Sequence, residues 1–201
     1  FLSNGVDVPF STITSLHGTA DDFVFVGATW SSDPEPVRVR NGVVERLRPA
    51  APFLDDPTYF PPPEFITFPT TRGQHAHALY YAPANPGFRV PDGELPPLVV
   101  SIHGGPTSAA SRQLQPRHRY YISRGFAVVD VDYRGSSGYG RAYRNLLRGE
   151  WCVIDVDDAV AAANFLADRG DVDRARMAIR GGSAGGTVVD RKSTRLNSSH
   201  I

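Results

Sequence analysis

Apolar and polar residues alternate along the first 48 positions, give way to prolines, and then gather into short continuous apolar runs. In the alternating zone, "VPFSTITSL", "DFVFVGATW" and "PVRVRNGVVERL" read as β-strands, and Asn41-Gly42 inside the last is a strong hairpin signal. Three or four strands in just under fifty residues match the size of one β-propeller blade. The pattern also suits a β extension packed on a following domain, and no second repeat separates the two readings.

Between Pro49 and Pro63 the chain carries six prolines in fifteen residues. Proline fixes φ and removes a backbone donor, so this stretch is expected to be a semi-rigid linker and a domain boundary. After it, "EFITFPT" and "HAHALYYAPA" flank "TRGQ", the pattern of an antiparallel hairpin.

The rhythm then changes. "PPLVVSI" and "GFAVVDVDY" are continuous Val-rich runs, as expected of strands buried on both faces. "RQLQPRHRYYISR" between them can hold a helix. In "VIDVDDAVAAANFLADRG", Val156, Ala159, Val160, Ala163 and Leu166 recur at helical spacing. Asp155, Asp157 and Asp158 fall in its first turn, Gly170 stops it, and "RMAIR" is the next strand. Strand and helix in alternation predict a mostly parallel α/β sheet, with 98–102, 127–131 and 177–180 as neighbouring parallel strands.

"RMAIRGGSAGG" places Ser183 at the centre of G-x-S-x-G, after a strand and before a small-residue helical start. That spacing suits a nucleophile elbow, a sharp turn at which a Cβ on Gly181 or Gly185 would crowd neighbouring backbone. Taken alone, the motif is more often a flexible loop. Eighty residues upstream, "SIHGGP" follows a predicted strand, where an oxyanion loop belongs. Backbone N–H groups of Gly105 and Ala184 could then meet the negative charge of a tetrahedral intermediate, each worth roughly 3 kcal/mol. His103 reads as the anchor of that loop, since a triad histidine in such a fold follows the serine. Asp130 and Asp132 read as polar groups at a sheet edge, and no metal-ligand cluster or phosphate-binding loop competes.

"LPPLVVSIHGGPTS", "VDYRGSSGYGRAYR", "GEWCVIDVDDAV" and "VDRARMAIRGGSAGG", in this order, resemble the serine peptidases of the prolyl oligopeptidase family, in its dipeptidyl and acylaminoacyl peptidase branch. The resemblance covers about residues 60–189. It implies an α/β-hydrolase fold, here running as far as the nucleophile elbow, preceded by a β segment resembling the end of a β-propeller. It also implies Ser183 as nucleophile, Gly105 and Ala184 as oxyanion donors, no cofactor, no metal, and a peptide substrate. Tyr139 of "YRGSSGYG" either lines the substrate pocket or is a packed tyrosine in a rigid turn. Cys152 stands where the family pattern leads us to expect glycine. The family's triad Asp and His follow its serine, whereas His17, His75, His77 and His118 precede Ser183. The leading function is therefore a serine peptidase acting through an acyl-enzyme on Ser183, inactive in this segment. A carboxylesterase-like α/β-hydrolase and a non-catalytic interaction module are the alternatives.

Composition adds three expectations. Formal charge is zero with the basic residues scattered, so neither nucleic acid nor a membrane surface is an expected partner, and oligomeric state stays open. A lone cysteine fits a reducing compartment, and a cytoplasmic location is expected. Of 21 basic residues only Lys192 is lysine, and it lies in "DRKSTRLNSSH", which matches one reading frame of a common sequencing adapter residue for residue. Four segments are thus expected: 1–48, the end of a propeller; 49–63, the linker; 64–189, the N-terminal part of a hydrolase domain; 190–201, a non-native tail.

Overall fold

Residues 7–48 and 57–197 are described by the computed structural model. Most of the proline-rich stretch, 49–56, and the end of the tail, 198–201, lie outside the described residues. The chain divides into two units: 1–62 with 111–116, and 63–110 with 117–201.

The first unit is a four-stranded antiparallel sheet in the order β1 (Thr12–Gly18), β2 (Asp22–Thr29), β3 (Ser32–Arg40), β4 (Val43–Arg46). Its alternation buries Phe23 and Phe25 beside Val37 and Val39, with Phe10 set edge-on to Phe25 at 5.6 Å. Asn41 and Gly42 both take positive φ, 49° and 79°, as the tight hairpin between β3 and β4 requires. Residues 111–116 join this sheet unforeseen by the sequence pattern. Leu114 donates its N–H to the Thr29 carbonyl, and the Ser11 hydroxyl donates to the Arg112 carbonyl.

The second unit is a five-stranded sheet in the order β5 (Glu64–Pro69), β6 (His75–Tyr81), β8 (Ala127–Asp132), β7 (Leu98–Ile102), β9 (Met177–Gly181). The pairings β7–β8 and β7–β9 are parallel, as the Val-rich runs suggested, whereas β5–β6 and β6–β8 are antiparallel. The sheet is therefore mixed, because the hairpin β5–β6 adds to β8 without a helical crossover. Every residue of β7 and β8 is buried, which explains the absence of alternation in them.

Helix α3 (Ile154–Arg169) covers one face, packing Ile154, Val156, Ala159, Ala162 and Leu166 on Val100, Ile102, Val129 and Val131. The buried stripe is rotated from the predicted one. Val160 and Ala163 are only half-buried, while Asp155 and Asp158 face inward. Gly170 ends the helix in the left-handed conformation, φ 82°. On the other face His118 of α1 (Pro116–Ile122) reaches Tyr81 and Asp130. This helix begins at proline, later than residue 112, because its fixed φ suits the first helical position. Two further helices are α2 (Gly140–Asn145) and α4 (Ala184–Asn197), the latter continuing into the segment set apart on composition. Among the described residues no helix is long and apolar enough to cross a membrane.

Candidate active site

Strand β9 delivers the chain to Ser183, whose φ of 54° puts an L-residue in the left-handed region. Such backbone is held only when its surroundings over-determine it. Here Gly185 donates its N–H to the Gly182 carbonyl at 3.0 Å, and Gly186 to the Ser183 carbonyl at 2.9 Å. The flanking glycines are sterically required. A Cβ on Gly181 would lie 2.5 Å from the backbone of Gly185, and one on Gly185 2.4 Å from the Ile102 carbonyl oxygen. The second contact shows why the turn sits tight against the end of β7. The Ser183 side chain is exposed, and it makes no hydrogen bond among the described residues.

The loop leaving β7 lies against this turn. A Cβ built on Gly104 would come within 3.0 Å of the Gly182 oxygen, 3.3 Å of Ser183 Cβ and 3.9 Å of the Ala184 nitrogen. A side chain at Gly104 would press on the serine turn, so glycine favours this close approach. Among the described residues neither the Gly105 nor the Ala184 N–H donates a hydrogen bond; Ala184 opens α4, where first-turn donors have no helical acceptor.

His103 is fully engaged elsewhere. Its Nε2 lies 2.7 Å from Ser136 Oγ, its Nδ1 2.8 Å from the Gly104 carbonyl, and its ring stacks on Tyr133 at 4.4 Å. Burial pushes its pKa below the ordinary value, partly offset by the Gly104 carbonyl and Asp132. The other described histidines of this unit are also placed away from the serine. His77 sits on β6, three strand spacings or about 14 Å across the sheet from β9, and stacks on Tyr139 at 4.2 Å. His118 lies buried beside Asp130. No group of three or more His, Cys, Asp or Glu side chains among the described residues could hold a metal.

Four contacts from the end of β8 and the chain after it grip the loop after β7. Besides Ser136 with His103, the Tyr133 hydroxyl donates to the Pro106 carbonyl at 2.7 Å, and Ser137 N–H to the Ser108 carbonyl at 2.7 Å. Asp132 accepts the Ala110 N–H at 2.6 Å and the Tyr139 hydroxyl at 2.8 Å. This corrects the expectation for the two aspartates. Asp130 and Asp132 lie on β8 in the interior of the sheet, both buried, and Asp132 is a structural acceptor. Tyr139 has its hydroxyl turned to that carboxylate and its ring stacked against His77.

The gripping segment is itself anchored. Arg134, fully buried, donates through its backbone N–H and its guanidinium to Asp158 of α3, and also to Gln74 and to the Thr71 hydroxyl. Sequence reasoning placed Asp158 at the helix N-terminus for its charge and passed over Arg134 and Ser136. "YRGSS" beside "DVDD" was the available signal, a basic and an acidic residue in glycine- and helix-starting contexts. Cys152 takes φ 66°, which accounts for the glycine expected there.

Comparison with known proteins follows the same residues. A sequence profile of the prolyl oligopeptidase family matches residues 113–193. Dipeptidyl aminopeptidase BIII of Pseudoxanthomonas mexicana is 37% identical over 90 residues, 45% of this chain and 13% of that protein. Dipeptidyl peptidase family member 6 of Caenorhabditis elegans is 32% identical over 117 residues, 52% of this chain and 16% of that protein. The chain thus spans under one fifth of these relatives' length. A puromycin-hydrolyzing peptidase of Mycobacterium tuberculosis superposes with a TM-score of 0.90 at 42% identity, over 94% of this chain and 30% of that one. The Ser183 elbow and the segments from residue 113 onward lie inside the matched region, so over these residues the chain is similar to the prolyl oligopeptidase family.

Proposed function

We propose that the protein containing this chain is a serine peptidase that cleaves short peptides through an acyl-enzyme on Ser183. The observation that carries this reading is the juxtaposition of the strained Ser183 turn with the Gly104–Gly105 backbone. In the proposed reaction Ser183 Oγ attacks the scissile carbonyl, and the N–H groups of Gly105 and Ala184 receive the oxyanion. Preorganised donors of this kind stabilise the transition state without reorganisation, by about 3 kcal/mol each. The leaving amine departs with a proton, and water then releases the acyl group.

No described histidine contacts Ser183, so the proposed base and its aspartate partner come from chain outside the described residues. The antiparallel sheet of β1–β4 suits the closing part of a β-propeller, the companion domain seen in this family, with 49–63 as the linker. The peptide substrate class is inferred from the relatives, which include a dipeptidyl aminopeptidase and a puromycin-hydrolyzing peptidase.

The test is hydrolysis of chromogenic dipeptide amides by the full-length enzyme and by its Ser183→Ala variant. We expect activity in the first and its loss in the second. Undiminished hydrolysis by the alanine variant would remove Ser183 from the mechanism.

A further inference from the structure

We propose that Ser136 is a positioning residue that aims the Gly105 N–H at the oxyanion, acting through His103. The inference rests on the acyl-transfer reading above and names a part of the machinery that reading leaves out.

His103 Nδ1 lies 2.8 Å from the Gly104 carbonyl oxygen. A carbonyl oxygen only accepts, so Nδ1 carries the proton and donates. The ring is largely buried, and its charged form is disfavoured by desolvation. Nε2 is then a bare acceptor, and the hydroxyl 2.7 Å away on Ser136 donates to it. Ser136 is itself fully buried and held in a turn by its N–H bond to the Tyr133 carbonyl at 2.9 Å. Tyr133 in turn covers the face of the ring, at an interplanar angle of 18°.

The peptide unit between Gly104 and Gly105 transmits this arrangement. In a trans peptide the C=O and the N–H point to opposite edges of one plane. With its oxygen held by the imidazole, the unit turns the Gly105 N–H away from the ring, where no described residue accepts it. Two glycines flank this peptide, so little steric resistance opposes its flipping, and the hydrogen bond from His103 fixes its direction. Removing the Ser136 hydroxyl leaves Nε2 a buried acceptor without a donor. Ring orientations that recover a partner for Nε2 release the Gly104 oxygen and misdirect the oxyanion donor.

The full-length enzyme carrying Ser136→Ala tests this. We expect kcat to fall about tenfold to a hundredfold, with KM changed less than about twofold, because the donor acts on the transition state more than on bound substrate. A peptide aldehyde, whose hemiacetal occupies the oxyanion site, should lose affinity in parallel at temperatures where the variant remains folded. In a His103→Asn background the same substitution should cost nothing more, since its route is removed. Wild-type kcat in Ser136→Ala, or an undiminished loss in the His103→Asn background, overturns the proposal. Should the alanine variant not fold, Ser136→Gly decides, since it also removes the hydroxyl; a wild-type kcat there overturns it equally. An enzyme that stays active without Ser183 sinks the acyl-enzyme reading; Ser183-dependent activity that survives Ser136→Ala sinks only this one.

Discussion

Arg134 and Asp158 face each other at 2.8 Å with both side chains withdrawn completely from solvent, one at the exit of β8 and the other in the first turns of α3. Thr70 also donates its hydroxyl to this carboxylate, at 2.7 Å. The pair ties the β5–β6 turn, the gripping segment and α3 to one point. Removing one partner of a buried pair strands the other charge, which is far worse than lacking both. We expect Asp158→Ala to lower stability by about 3–5 kcal/mol, read from the denaturant midpoint. Replacing Arg134 by Met and Asp158 by Leu together should cost less than Asp158→Ala alone. A single variant milder than the double would contradict a desolvated pair.

Tyr139 offers a sharper choice between packing and substrate binding. Its hydroxyl is one of the donors to Asp132, so Tyr139→Phe should destabilise by roughly 1–3 kcal/mol through the carboxylate left short of a partner. KM for peptide substrates should not move. A raised KM with unchanged stability would return this side chain to the substrate pocket.

His118 should make the fold sensitive to mild acid. Burial, with Arg180 and then Arg117 adding positive potential, lowers its pKa from 6.5 to about 4. It is therefore neutral beside Asp130, and their 4.0 Å approach is no ion pair at neutral pH. Between pH 6.5 and 4 the unfolded chain binds a proton that the native chain does not, so stability must fall as pH falls. From pH 7 to pH 5 this group should remove roughly 2 kcal/mol. Urea midpoints measured at both pH values should differ accordingly, and His118→Gln should lose that part of the difference. An unchanged pH slope in the variant would count against the buried neutral imidazole.

At Cys152 the backbone and the side chain pull in opposite directions. An L-residue at φ 66° is strained by about 1–2 kcal/mol, while the buried side chain contributes packing. Cys152→Gly should consequently be nearly neutral in thermal unfolding. Cys152→Val, β-branched at positive φ, should lose roughly 2–3 kcal/mol. Equal melting temperatures for Val and Gly would show that the turn relaxes freely.

The 201-residue chain should not react at Ser183 with a fluorophosphonate probe, whereas the full-length enzyme should label. An unassisted serine hydroxyl is a weak nucleophile near neutral pH, and no described histidine reaches it. Stoichiometric labelling of the chain by mass spectrometry would demonstrate a base within it.

What could be read ahead of the fold follows a physical divide. Strands β7 and β8 declared themselves because burial on both faces leaves an unbroken apolar run, and the elbow did because its glycines are sterically compelled. Asn41-Gly42 did so through its positive φ. The polar anchors did not. Asp132, Arg134, Ser136 and Asp158 look like ordinary surface residues in sequence, since a buried polar side chain is identified only by its partners, 7 to 88 residues away. The stripe of α3 was misjudged for the same reason. Asp155 and Asp158 occupy inward positions that hydrophobic periodicity assigns to apolar residues.

The grip on the loop after β7 bears on the order in which the molecule is made. The bonds Ala110–Asp132, Pro106–Tyr133 and His103–Ser136 span 22, 27 and 33 residues, and the Arg134–Asp158 anchor 24. All of these partners precede Ser183 in the chain. Closing loops of this length costs little, so these bonds can form while synthesis continues, N-terminal residues first. The loop after β7 can thus be gripped in place before Ser183 and Ala184, which pack against it, have been translated.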